Sequence, residues 1–389
     1  MKSEATAAFI REHADADVRQ LALQGAKYPE VDLPFALDQI AGRQTARQKL
    51  PSWAATEGIV YPPHLSMEQC SSEQTARYKA RLVGSGASLV DLTGGFGVDF
   101  SFLARGFSRA VYVERQARLC DIARENFLLL GLRQAEVVCG DSTDYLQTMA
   151  PADVIYIDPA RRDSHGGRTY GISDCTPDVS ALRDLLLAKG GRVLIKLSPM
   201  LDWRKAVADL GELYVREVHI VSVGNECKEL LLLCTGGNGL RLFCVNDDNV
   251  FEVGDGAHEA YGAYEAYGAH YLYEPNASIM KAGCFAEVAQ RFGVTQIAQN
   301  SHLFTSAEPV EGFPGRSFQI EAVTSMNKRE LRQHLQGLTQ ANITVRNFPL
   351  SVPELRRRLK LGEGGSTYIF ATTFANGDRR LVVCHKLTY

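Results

Sequence analysis

The 389-residue chain predicts an α/β fold: a doubly wound parallel sheet closed by an antiparallel hairpin, between an N-terminal helical segment and a C-terminal α+β module. Three observations predict it. Ser88-Leu-Val-Asp-Leu-Thr-Gly-Gly-Phe-Gly-Val-Asp99 reads as a buried strand with an acidic end, a glycine turn and a helix start. From about residue 83 to 237, strand-like and helix-like runs alternate, which a parallel sheet with both faces covered requires. Finally, Gly224-Asn225 lies in a short joint between two β-rich runs, a hairpin signal.

Residues 1–82 form the first segment, polar and helical, broken by Pro29, Pro34, Pro51, Pro62 and Pro63. Helices are expected at Ala5–Gln24, Pro34–Lys49 and Ser71–Leu82, the last with a Ser-x-Glu start. Ten basic and ten acidic residues balance here, so the segment reads as a helical cap and not as a nucleic-acid arm.

Residues 83–237 carry strands at Leu89–Leu92, Ala110–Val113, Glu136–Cys139, Val154–Ile157 and Arg192–Leu197, with a helix over Gln116–Leu130. After a helix at Leu201–Leu210, the runs Tyr214–Val223 and Glu229–Cys234, joined by Gly224–Lys228, close the sheet as a hairpin. Residues 238–316 begin with a Gly/Ala-rich stretch in which His258-Glu-Ala-Tyr-Gly-Ala263 is echoed by Tyr264-Glu-Ala-Tyr-Gly-Ala269. Two copies of six residues cannot build a solenoid, so an exposed loop or hairpin is expected. A helix follows at Asn276–Phe292. Residues 317–389 mix strands (Phe318–Val323, Thr367–Thr373, Arg380–His385) with helices (Lys328–Gln336, Val352–Leu361). This last module has eleven basic residues against five acidic ones, a footprint suited to phosphate.

An apolar content of 45% and a charged content of 22% fit a globular chain. The nine cysteines are scattered, with no C-x-x-C pair and no Cys/His cluster at zinc spacing. No metal is expected, and the thiols read as reduced in a cytoplasmic protein. The N-terminus lacks the apolar core of a signal peptide, and no apolar run nears the roughly 20 residues that span a bilayer. No membrane partner is expected, and the oligomeric state stays open.

Chemistry concentrates at the strand ends. Thr93, Gly94, Gly95 and Gly97 form a turn that lets a ligand approach the backbone closely. A dinucleotide fingerprint starting at Gly95 would need its third glycine where Phe100 stands, so the match fails there. A ligand without pyrophosphate needs no complete anion cradle, and S-adenosyl-L-methionine (SAM) is such a ligand. Glu114 ends the second strand, where an acid accepts both ribose hydroxyls. Asp141 ends the third, within reach of an adenine amino group, and Asp91 ends the first, facing the ligand's ammonium. Asp99 completes the set. Any one of these acids could instead cap a helix.

Asp158-Pro159-Ala160-Arg161 ends the fourth strand, beside the cofactor turn. A carboxylate and rigidly presented carbonyls can hold an amino group's hydrogens and aim its lone pair at a methyl donor. Arg161, Arg162, Arg168 and Tyr170 in the following loop suit phosphate contacts and base stacking. Asp158-Pro-Ala-Arg161 resembles the D-P-[PA]-R of the uridine C5 methyltransferases, and that resemblance implies a cysteine in the turn after the next strand, where Lys196-Leu-Ser-Pro199 has none. A base nitrogen is the better acceptor. Cys175 is a weak substitute, more simply read as a packed thiol.

Asp91-Leu-Thr-Gly-Gly-Phe-Gly-Val-Asp99, Asp158-Pro-Ala-Arg-Arg-Asp163, Glu274-Pro-Asn-Ala-Ser-Ile-Met-Lys281, Arg346-Asn-Phe-Pro349 and Glu354-Leu-Arg-Arg-Arg-Leu-Lys360 carry a wider likeness. On them the chain resembles the bacterial class I SAM-dependent methyltransferases that end in a THUMP-like domain. Asp158-Pro-Ala-Arg161 resembles motif IV of methyltransferases acting on nucleic acids. The resemblance implies the Rossmann-like methyltransferase sheet, a small ferredoxin-like piece near 270–318, and an RNA partner, tRNA or rRNA. The basic residues Arg346, Arg356, Arg357, Arg358 and Lys360 are the expected RNA contacts of the last module. Two other readings stay open: a SAM- and RNA-binding scaffold without catalysis, and a small-molecule methyltransferase.

Overall fold

The computed structural model describes residues 3–161, 171–237, 239–254 and 268–387, and the chain divides into two compact units. The first comprises Met1–Val218 and Glu229–Leu240, the second His219–Lys228 and Arg241–Tyr389. Residues 1–82 fold with the sheet, and 241–387 fold together.

In the first unit the strands are β1 (Gly86–Asp91), β2 (Phe107–Glu114), β3 (Ala135–Cys139) and β4 (Ala152–Ile157). A two-residue ribbon follows, β5 (Ala160–Arg161) against β6 (Cys175–Thr176), then β7 (Gly190–Leu197), and β8 (Val215–Val223) and β9 (Glu226–Cys234), whose turn ends, His219–Lys228, are counted with the second unit. Their order is β8-β9-β7-β4-β1-β2-β3. The five from β7 to β3 are parallel, and β9 runs antiparallel to β7. Every expected strand of this segment is present. The hairpin turn is shorter than expected: only Gly224 (φ 58°) and Asn225 (φ 63°) separate β8 from β9. Two successive positive φ values make the primed turn whose twist matches the strands it joins.

Residues 1–82 pack through Leu50, Trp53, Ile59, Val60 and Met67 onto Phe96 of the turn after β1, Phe102 of the helix Val98–Leu103 and Leu119 and Ile122 of the helix Ala117–Leu129. Asn126 pins this packing. Its Oδ1 accepts from Val60 N (2.8 Å) and its Nδ2 donates to Val60 O (2.9 Å). A single helix over Ala5–Gln24 does not form. Two helices, Glu4–Glu12 and Val18–Ala22, replace it, because Asp17 accepts from Arg19 N and caps a new start.

The second unit holds β10 (Arg241–Asn246) and β11 (Asn249–Val253), an antiparallel pair in the stretch where an exposed loop or hairpin is expected. The echoed hexapeptides lie almost wholly outside the described residues. A seven-stranded sheet follows from β12 (Tyr271–Pro275), β13 (Thr295–Gln296), β14 (Phe304–Ser306), β15 (Gly315–Thr324), β16 (Asn342–Arg346), β17 (Thr367–Thr373) and β18 (Arg379–Lys386). Its order is β13-β14-β12-β15-β18-β17-β16. One sheet thus runs across residue 316, joined by the β12–β15 pairing. The expected helix Asn276–Phe292 is two, Ala277–Ala282 and Phe285–Phe292, divided where Gly283 takes φ 70°. Among the described residues no helix is long and apolar enough to cross a membrane.

Candidate active site

The β1 turn is shaped by what lies beneath it. A Cβ on Gly94 would fall 2.1 Å from the buried Tyr112 ring, so only glycine lets the turn settle there. Gly95 and Gly97 take φ 54° and 85°, backbone that disfavours any other residue. Gly95 N donates to Glu114 Oε2 (2.9 Å), and Gln116 N to the other oxygen (2.9 Å). Glu114 therefore fastens the turn after β1 to the end of β2. Thr93 Oγ1 accepts from Asp158 N (2.6 Å), and Thr93 N donates to Asp91 Oδ1 (2.9 Å), which ties the β1 and β4 ends together. Phe100 is fully buried against Tyr112 and Phe127, filling the place where a dinucleotide site needs a small residue.

These strand ends border a cleft of about 390 Å³ lined by Thr93, Glu114, Asp141, Asp158, Ala160 and Pro177, among others. Asp141 also caps the helix Ser142–Thr148, accepting from Thr143 N (2.7 Å) and Asp144 N (3.3 Å). Next to the cleft lies a recess of about 50 Å³ bordered by Ser71, Asp91, Asp99, Tyr156, Asp158 and Lys196. Thr93 and Asp158 line both spaces.

Behind the recess is a buried ionic cluster that the sequence did not lead us to expect. Lys79, fully buried on the helix Glu73–Val83, lies 3.0 Å from Asp99 and 2.5 Å from Glu229. Ser71 Oγ donates to Asp99 (2.8 Å), as does Tyr156 OH (2.7 Å). Lys196 on β7 donates to Asp158 Oδ2 at 2.6 Å and stands 3.6 Å from Asp99. Burial opposes the charge of Asp99, but Lys79 and Lys196 outweigh it and hold its carboxyl down to about 2. Burial likewise opposes the Lys196 charge, yet Asp158 and Asp99 raise its pKa and keep it an ammonium. Burial pushes Asp158 above its ordinary value, against the pull of Lys196. Burial pushes Asp91 well above the ordinary aspartate range, opposed by the Thr93 N–H and reinforced by Asp99 and Asp158. A sequence signal did exist. Lys79 lies on the apolar face with Ala76 and Val83, and Lys196 interrupts Val193-Leu-Ile-Lys-Leu197. A lone charge inside an apolar run must find a partner.

The structure thus gathers Asp91, Thr93, Gly94, Asp99 and Asp158 around the recess, and Glu114, Asp141 and Ala160 along the cleft. Pro159 links β4 to β5. Arg161 ends the ribbon strand β5, its backbone pairing with that of Cys175, a buried residue. Arg162, Arg168 and Tyr170 lie outside the described residues. In the second unit, Arg346 is held by Glu274 (2.8 Å), and Arg356 donates to Ala341 O (3.1 Å) and Gly362 O (2.7 Å). Those two guanidiniums brace their own module. Arg357, Arg358 and Lys360 are exposed.

Residues 271–314 match a ferredoxin-like domain family, and residues 315–386 match the THUMP domain-like family. The whole chain superposes on a crystal structure from Porphyromonas gingivalis W83, provisionally named a methyltransferase. The sequences are 32% identical, both chains are covered entirely, and the TM-score is 0.86. A protein-L-isoaspartate O-methyltransferase of Methanoculleus marisnigri is 28% identical over 141 residues, which is 36% of this chain. The chain spans about half (55%) of that curated relative's length.

Proposed function

Since this chain belongs to the family of SAM-dependent methyltransferases that carry a C-terminal THUMP-like domain, we propose that it methylates a base nitrogen of RNA, in tRNA or rRNA. When bound, SAM supplies an electrophilic methyl group on a sulfonium. The chain's own residues do the rest. The glycine turn admits the ligand, Glu114 presents carboxylate oxygens to its ribose, Asp141 lines the far end of the cleft, and Asp91 faces its ammonium. Asp158 accepts hydrogen bonds from the acceptor's amino group, and the backbone at Pro159 and Ala160 helps aim its lone pair. Lys196 steadies the Asp158 carboxylate from behind.

One observation carries this reading: Asp158 borders both the cleft and the recess, with its other side fixed by Lys196. The charge balance favours an amine. Lys79 and Lys196 face Asp99, Asp158 and Glu229, leaving one negative charge in excess when all are ionised. A carboxylate acceptor, such as the name of the archaeal relative implies for that enzyme, would meet like charge here.

The test pairs two measurements on wild type and Asp158→Ala. Transfer from SAM to unmodified tRNA and rRNA transcripts is read by nucleoside mass spectrometry, and binding of S-adenosylhomocysteine (SAH) by calorimetry. Wild type should yield one base-methylated nucleoside. The variant should bind SAH within about threefold of wild type yet lose transfer by at least ~10²-fold. Undiminished transfer by the variant would remove Asp158 from the chemistry. Absence of both RNA methylation and RNA binding in the wild type would favour a small-molecule acceptor.

A further inference from the structure

The second unit contains a cavity that the methyl-transfer reading does not use. It encloses about 420 Å³, within the range of small-ligand sites, and is lined by Asn225, Asn246, Asn249, Asn276, Arg291 and Arg316 together with phenylalanine side chains. Its walls are firm. Phe251 and Phe313 are buried, and Phe292 lies between them at ring distances of 6.1 and 5.6 Å. Arg291 stacks on Phe251 at 4.7 Å, donates to Glu252 O (3.0 Å) and stands 3.5 Å from the Glu287 carboxylate, so a phosphate would share this guanidinium with Glu287.

The polar groups are of a particular kind. Four side-chain amides line one small space, each built of a donor NH2 and an acceptor oxygen, several of which are already engaged by neighbouring groups. Asn225 Oδ1 accepts from Ala277 N (2.8 Å), and Asn276 Oδ1 from Ser278 Oγ (2.7 Å) and Ile279 N (3.1 Å), so both side chains are held in place. Asn246 Nδ2 donates to Asp247 (3.1 Å), while Asn246 Oδ1 is buried with no hydrogen-bond partner. An orphaned buried acceptor is costly unless a ligand or water satisfies it. At the cavity's edge, Glu274 binds both Arg316 and Arg346, so that cluster keeps one positive charge in excess.

We propose that this cavity seats one unpaired nucleotide of an RNA strand, its base edge read by the asparagine amides and its flanking phosphates met by Arg291 and Arg316. Amides pair with base edges as they pair with backbone, aromatic walls accept a base's faces, and guanidiniums take phosphate. A lipid tail or other apolar ligand would leave the amides unpaired, and a cationic ligand would meet Arg291 and Arg316. Two guanidiniums at one small cavity suit successive phosphates of a strand better than a single free nucleotide. The inference deepens the RNA reading but does not depend on methyl transfer.

Calorimetry on the full chain tests it, with AMP, CMP, GMP and UMP as one set of probes and the single-stranded hexamers rA6, rC6 and rU6 as the other. At least one hexamer should bind ten times or more tighter than its monophosphate, and more weakly as salt rises. Asn246→Leu removes the orphaned acceptor and should weaken that hexamer at least fivefold, with SAH affinity unchanged. Asn249→Ser, at an exposed lining position, should weaken it in the same sense, and keeps the test alive if the first variant misfolds. Absence of hexamer binding, a monophosphate that binds as tightly as its hexamer, or indifference to both substitutions would overturn the proposal. Hexamer binding without any RNA methylation would strike only the proposed reaction.

Discussion

Replacing Lys79 with methionine probes the ionic cluster behind the recess. Lys79 has no solvent exposure, and its ammonium is the closest cation to both Asp99 and Glu229, whose side chains are 11% and 5% exposed. The fall of the Asp99 carboxyl from 3.8 to about 2 is worth about 2.4 kcal/mol of native-state stability, shared between Lys79 and Lys196. Removing one member of a buried pair costs more than that share, about 3–5 kcal/mol, because the carboxylates left behind stay buried. Lys79→Met should therefore lose about that much at pH 7. The sign of the pH dependence is fixed. A depressed folded-state pKa contributes stability that is present above pH 3.8 and disappears as pH falls through 3.8 toward 2. The gap between wild type and variant should narrow over that window.

The assay is urea unfolding followed by tryptophan fluorescence, which reports the first unit because both tryptophans, Trp53 and Trp203, lie in it. Adding Glu229→Leu to Lys79→Met should recover a large part of the loss, since an apolar pair replaces a broken ionic one. A loss under about 1 kcal/mol at pH 7, or a loss that does not change with pH, would refute the reasoning.

Three further outcomes are expected. Gly94→Ala drives a methyl group against the Tyr112 ring, should cost about 1–3 kcal/mol by overpacking, and should reduce SAH affinity; thermal melts and calorimetry check both. The raised pKa of Asp91 means that the free protein keeps this proton to higher pH than an ordinary aspartate, whereas a ligand ammonium favours the carboxylate. SAH affinity should therefore rise with pH up to that pKa and level off above it, and Asp91→Asn should flatten the profile. Replacing Arg357, Arg358 and Lys360 by alanine should weaken RNA binding at low salt and reduce the salt slope by roughly one for each phosphate that no longer has a cationic partner, with SAH binding unchanged in filter and calorimetric assays.

Much of the first unit was legible in the chain because its signals are local. Each parallel strand is a short apolar run, and the β1 turn announces itself by three glycines whose freedom or small size is required in place. Glu114 and Asp158 could be placed because they end such strands. The Gly224-Asn225 hairpin was visible for the same reason, although the strands approach the turn more closely than composition alone suggests. Helix breaks were harder to see. The switch at Asp17 depends on one capping side chain competing with helix continuation, and propensity averaged over a window does not register it.

The sequence by itself determined the order of strands and helices, the glycine turn and the carboxylates at the sheet's edge, since each follows from neighbouring residues. Only the tertiary structure decided which charges meet. Lys79 finds Glu229, 150 positions away, and Lys196 finds Asp158 at the end of the neighbouring strand. It also decided that Arg346 and Arg356 brace their own module while Arg357 and Arg358 stay exposed, and that four asparagines spread over residues 225–276 share one cavity. The physical reason is common to all of these. A charge or an amide shows in sequence only that it needs a partner, and which partner it finds depends on how distant segments pack.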